Sequence, residues 1–104
     1  MLAIDVTDEA TSKVFNLRGT LDSLEAGELK KLVRAAIATG QGDVVIDLAE
    51  TSFADSAGLG ALVALQKTAA AAGMRLRLRN LRENVRALME LTRLHRFFEI
   101  EEVA

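Results

Sequence analysis

Val44-Val45-Ile46-Asp47-Leu48 is a nearly continuous β-branched and aliphatic run, and only a few residues later Ser56 opens a long helical pattern. A run of that kind belongs to a central strand covered on both faces, and a helix following it so closely is the signature of a layered α/β domain. The linking stretch, Phe53-Ala54-Asp55-Ser56-Ala57-Gly58-Leu59-Gly60, therefore falls at a strand-to-helix turn. Such turns are where α/β proteins place working residues.

The rest of the chain alternates in the same way. Leu2, Ile4 and Val6 alternate with polar or small residues, a turn is expected at Asp8-Glu9-Ala10, and Phe15 and Leu17 alternate again toward Gly19, predicting a pair of strands. Asp22, with Glu25 three residues on, starts a helix whose stripe is Leu29, Leu32, Val33, Ala36 and Ile37 and whose end is Thr39-Gly40. The strand at Asp43 to Leu48 follows, then a helix from Ser56 to about Ala72, stopped at Gly73. Met74 to Leu81 holds the strict alternation Arg75-Leu76-Arg77-Leu78-Arg79, a strand with one apolar and one basic face. Asn80 and Glu83 start a third helix with Val85, Leu88, Met89 and Thr92 as its stripe, and Phe98, Ile100 and Val103 suggest a short last strand. The pattern predicts α/β, a mixed four- to five-stranded sheet with helices mainly on one side, in a single domain over residues 1–104. It does not by itself separate this from a small flavodoxin-like arrangement.

Composition narrows the chemistry. A chain of 104 residues can bury roughly 65% of its unfolded surface in one core and leaves no room for a separate catalytic domain. A net charge of −2 with half the residues hydrophobic fits a soluble globular protein with no bias toward nucleic acid or anionic membrane. Cysteine is absent, which removes disulfide, thiol and Cys-ligated metal chemistry. The N-terminus has no basic region ahead of an apolar one, so no signal peptide is expected and a cytoplasmic location is. The longest apolar run, Ala57 to Leu65, is about half of the roughly 20 residues a membrane span needs.

Asp55 is a good N-cap, and Ser56 falls on the first helical turn, where free N–H groups and the positive helix end favour an anionic substituent such as a phosphoryl group. Gly58 and Gly60 each weaken a helix by roughly 0.8 to 1.0 kcal/mol relative to Ala. Gly58 shares a side with Leu62, Leu65 and Ala69, so close packing on the preceding strand accounts for it. Gly60 shares the outward side with Ser56, Val63 and Lys67, flanked by Leu59 and Ala64, a small and nearly uncharged face that suits a partner protein. Catalysis by Ser56 lacks a base: the lone His95 stands in no motif. Asp22, Asp47 and Asp55 could converge as a Mg²⁺ site, yet each has a plainer reading as a cap or a strand end. Arg75, Arg77, Arg79, Arg82 and Arg86 read as a solvated basic face. No cofactor motif is present, and a nucleotide site would have to do without a P-loop.

Three features together resemble one family: G-T-L-D at Gly19 to Asp22, F-A-D-S-A-G-L-G at Phe53 to Gly60 after the D-L-A of Asp47 to Ala49, and N-V-R-A-L-M-E-L-T-R-L at Asn84 to Leu94. The chain resembles the STAS domain, most closely the bacterial anti-sigma factor antagonists. The resemblance implies the STAS-like fold and a non-enzymatic regulator of transcription. It makes Ser56 the residue phosphorylated by a partner kinase, with Asp22 and Asp55 beside it to aid recognition. The partner surface expected on this basis comprises Asp22, Asp55, Ser56, Ala57, Gly58, Leu59, Gly60, Val63 and Lys67. The partners it implies are an anti-sigma factor that is also the serine kinase, and a phosphatase. A STAS subunit docking constitutively in another signalling or lipid-transport complex is the alternative, and a nucleotide-binding protein a more distant one. Ala57 stands where a second hydroxyl is common, and Arg93 replaces a familiar glycine near the third helix end.

Overall fold

The computed structural model describes residues 2–40 and 42–102. The order of elements is β1 (Leu2–Glu9), β2 (Ser12–Leu21), α1 (Ser23–Thr39), β3 (Asp43–Ala54), α2 (Ser56–Ala71), β4 (Leu76–Arg79), α3 (Glu83–Leu91), a 3₁₀ turn (Leu94–Arg96) and β5 (Glu99–Glu101). The strands form one sheet in the order β1-β2-β3-β4-β5, with β1 antiparallel to β2 and every other pair parallel. The expected mixed sheet is therefore present; Val103, suggested for the last strand, lies outside the described residues.

Period-two alternation divides the sheet. Phe15 and Leu17 of β2, Val44, Ile46 and Leu48 of β3, and Leu76 and Leu78 of β4 join Leu29 and Val33 of α1, Leu62 and Leu65 of α2 and Val85 and Met89 of α3 in one core. All three helices thus serve the same side. Asp22 caps α1 by accepting hydrogen bonds from the N–H groups of Leu24 and Glu25 at 3.0 and 3.2 Å, and Gly40 ends it in the left-handed conformation.

The other side of the sheet is where the sequence reading needs correction. Arg77 and Arg79 are partly buried and engaged rather than solvated, whereas Arg75, 59% exposed, and Arg82 remain at the surface as expected. Arg79 reaches Glu9 with both terminal nitrogens, at 3.0 and 3.1 Å, and donates through Nε to Asp47 at 3.0 Å. Arg77 donates to the Ser12 hydroxyl, Arg75 pairs with Glu99, and Arg86 pairs with Glu102. Arg86 belongs to α3 on the helix side; on the face that carries no helix, Val14 and Val45 are nonetheless fully buried, in the same row as Arg77 and beside that of Arg79. The hydrogen bond to Glu9 holds the Arg79 guanidinium pKa above its ordinary value, and the same bond lowers that of Glu9.

Asp47 does not end a strand. It lies inside β3, buried, and its carboxylate accepts from Arg79, from Asn80 Nδ2 at 3.2 Å and from the N–H of Ala49 at 2.9 Å. The last bond folds β3 around an extra residue, since Asn16 and Arg18 of β2 stand opposite Asp47 and Glu50. A second extra residue separates Thr51 from Phe53, opposite Gly19 and Thr20. β4 has ended by then, and α3 takes its place: Arg82 Nε donates to the Ala49 carbonyl at 3.1 Å and Asn84 Nδ2 to that of Ser52 at 2.7 Å. Asn80 accordingly does not cap α3. It sits at φ 58 with its amide on Asp47, while Arg82 holds the cap position without a side-chain bond. The first turn also moves, because β1 runs to Glu9 and the reversal is made at Ala10-Thr11, with Ala10 at φ 50.

Candidate functional site

The two irregularities carry β3 on to Ala54, whose register partner is Leu21, the last residue of β2. Neighbouring parallel strands thus stop level, about 4.8 Å apart, and each hands over to a helix through an aspartate. Asp55 accepts from Gly58 N–H at 2.8 Å, and its own N–H donates to the Leu21 carbonyl at 3.2 Å. Asp22 and Asp55 are side by side on one rim, and both carboxylates are occupied as caps. Asp47 is on the helix-free face with Arg79, apart from them. Among the described residues no group of three or more His, Asp or Glu side chains is gathered as a metal site.

Ser56 is the first residue of α2 and is exposed, as are Ala57, Gly60 and Lys67; Val63 is half-buried against the core. Around Gly60 no atom lies within 4 Å of the place a Cβ would take. Gly58 is interior, with an ideal Cβ falling 2.2 Å from the Leu21 carbonyl oxygen. Leu59 departs from the expected outward face, being only 3% exposed. It lies three residues before Leu62, so both fall on the arc that α2 turns to the core. The side chains available at this rim are consequently those of Ser56, Ala57, Val63 and Lys67, with the open backbone at Gly60.

Two apolar residues were missed by spacing alone. Leu24 is 87% exposed in the first turn of α1, and Phe53 is 51% exposed at the end of β3. Leu24 is off the stripe that runs through Leu29, Val33 and Ile37, and that mismatch was its signal. The chain also repeats a pattern: Asp22-Ser23-Leu24-Glu25-Ala26-Gly27 and Asp55-Ser56-Ala57-Gly58-Leu59-Gly60 share D-S-x-x-x-G. Because Leu21 and Ala54 are level, the two copies stand next to each other, with Ser23 and Gly27 exposed like Ser56 and Gly60. Gly27, like Gly60, has no atom within 4 Å of a would-be Cβ.

His95 lies half-buried in the 3₁₀ turn, its Nδ1 without a hydrogen-bond partner, remote in sequence from the rim. Among the described residues no helix is long and apolar enough to cross a membrane.

Comparison with known proteins gives the same architecture. An anti-sigma factor antagonist from Mycobacterium paratuberculosis superposes with a TM-score of 0.85 at 25% identity, covering 96% of this chain and 85% of the other. A Thermotoga maritima structure described as an anti-sigma factor antagonist gives 0.88 at 22% identity, over 97% of this chain and 86% of the other. The phosphorylated form of SpoIIAA, a cell fate determinant of Bacillus, gives 0.77 at 20% identity over 98% and 92%. The family model described as "Mlab, STAS domain" matches residues 4–101, and the chain belongs to the STAS domain family.

Proposed function

We propose that the chain is an anti-sigma factor antagonist, a binding protein rather than an enzyme, whose docking is switched off by phosphorylation of Ser56. The observation that carries this reading is the placement of Ser56: an exposed hydroxyl on the first turn of α2, beside a capping aspartate, on a rim with open backbone at Gly60 and uncovered Leu24 and Phe53. That surface is small, apolar and ready to be covered. The structural likeness to anti-sigma factor antagonists, one of them a phosphorylated form, supports the same reading.

With Ser56 bare, the rim docks on an anti-sigma factor that is also a serine kinase, and the sigma factor is freed. A phosphate adds roughly −1.5 to −2 charges. In the free protein the α2 N-terminus offsets part of that repulsion, by roughly 0.3 to 1 kcal/mol. In the complex the charge is buried with no cation of the rim beside it, at a cost of several kcal/mol, and each 1.4 kcal/mol is tenfold in affinity. The switch then needs no change of fold. A phosphatase resets it, residues 1–104 act as a single STAS domain, and the whole cycle is placed in the cytoplasm.

The test is the mass of the protein purified from its own cells under several growth conditions, with peptide mapping of any added phosphate. Phosphate on Ser56 that varies with condition supports the switch. A chain unmodified under all of them would replace it with constitutive docking through the same rim.

A further inference from the structure

The rim is not the only surface left open. β1 is the edge of the sheet, eight residues long, and among the described residues nothing pairs with its outer side. Glu9 and Ser12 close a two-residue loop and so form a hydrogen-bonded pair. Alternation from that pair turns the N–H and C=O groups of Leu2, Ile4 and Val6 away from β2, toward the free edge. Proteins usually protect such an edge with charged side chains, proline, bulges or a covering element. Here there is no proline, and the acids of the strand are engaged within the chain: Asp5 with Arg18 at 3.1 Å, Asp8 with Lys13 at 3.3 Å and Glu9 with Arg79.

We infer that β1 pairs antiparallel with β1 of a second copy of this chain, centred on Ile4, to make one continuous sheet of ten strands about a two-fold axis. The charge pattern selects this register. Centred on Ile4, Leu2 stands opposite Val6 of the second copy and Ala3 opposite its Asp5, so apolar meets apolar and no acid meets an acid. Centred one place further, Asp5 would face Asp5, which is unfavourable. Arg18 adds an attraction. It is the β2 neighbour of Ala3 and half-exposed, and it already extends along the row to Asp5. A methyl group at position 3 leaves Arg18 an open path to the Asp5 of the second copy. The sheet's other edge is a poorer partner, since β5 is three residues long and presents Glu99 and Glu101 toward that same row of acids.

Sedimentation velocity over a concentration series tests this, independently of what Ser56 does. The expected result is a reversible monomer–dimer equilibrium in which Ala3→Asp, creating an acid opposite Asp5 twice per dimer, raises the dissociation constant by about tenfold or more. Arg18→Ala should weaken it in the same direction, and Ile4→Pro, which removes an edge-facing N–H, should abolish it. Ala3→Asp puts an acid next to Arg18 within the chain, so its circular-dichroism melt, taken at a concentration where both proteins are monomeric, should not fall. Wild-type protein that stays monomeric to its solubility limit, or a dimer indifferent to Ala3→Asp, overturns the proposal.

Discussion

The carbonyl oxygen of Leu21 occupies the space that any side chain at Gly58 would need, with an ideal Cβ falling 2.2 Å from it. This contact is what lets α2 begin directly over the end of β2, and it separates two glycines that look alike in sequence. Gly58→Ala should destabilise the fold by about 1–3 kcal/mol, because the oxygen belongs to the backbone and cannot swing aside. Gly60→Ala meets no atom and should stabilise the helix by up to about 1 kcal/mol. Thermal melts of the two variants check the opposite signs, and Gly60→Ala should be the one that weakens partner binding while the fold gains.

Asp47 ties three parts of the chain together, through Arg79 on β4, Asn80 ahead of α3 and the Ala49 amide in its own strand. Asp47→Ala leaves the Arg79 guanidinium, whose side chain is 13% exposed, with Glu9 as its remaining carboxylate. A loss of about 3 kcal/mol is expected in chemical denaturation. Asp47→Asn should recover part of it by keeping an acceptor for the Ala49 amide.

Much of this architecture is legible from pattern, and the exceptions have physical causes. The capping aspartates, Gly40 and the Leu29, Val33 and Ile37 stripe of α1 act locally, so spacing finds them, whereas Leu32, expected on that stripe, is 38% exposed. The length of β3 is hidden because its two extra residues interrupt the alternation, and the groups that tolerate them, Arg82 and Asn84, lie more than thirty residues away. Arg77 and Arg79 look like a wet face because their covering partners arrive from β1, β2 and β3. Asn80 resembles a cap by its distance from Glu83, but Asp47 takes its amide. At the rim, Ser56 and Gly60 were readable from the turn, whereas the inward turn of Leu59 depends on how much of α2 the core covers.

Arg93 adopts φ 62 just past the end of α3, a left-handed conformation in which a Cβ is strained. Arg93→Gly should therefore stabilise the protein by about 1 kcal/mol, less the greater freedom glycine gives the unfolded chain. For a domain of this size that corresponds to a rise of about 4–8 °C per kcal/mol in the melting midpoint.

Glu9 gives the stability a dependence on pH whose sign is fixed. Its hydrogen bond to Arg79 holds the folded carboxyl below its ordinary value of 4.5. The stabilisation is therefore complete above that value and is lost as the pH falls through the lowered folded pKa. Glu9→Gln should lower the urea midpoint at neutral pH and flatten its decline under acid, so that the two proteins converge there. Added salt should narrow the neutral-pH difference, since Glu9 is exposed.

Ser56→Asp separates the switch from the fold. The new carboxylate lies at the N-terminus of a 16-residue helix, where an acid is favourable, so the melting midpoint of the free protein should hold or rise slightly. Binding to the anti-sigma partner should fall by at least about a hundredfold, as a charge is carried into a covered rim whose own cation, Lys67, stands about three helical turns from Ser56. Ser56→Ala should bind as the unmodified protein does and no longer respond to the kinase. Calorimetry suits the measurement, because the chain has neither Trp nor Tyr to report on binding. If Ser56→Asp bound as tightly as wild type, the rim could still be a docking surface, but charge at Ser56 would not be its control.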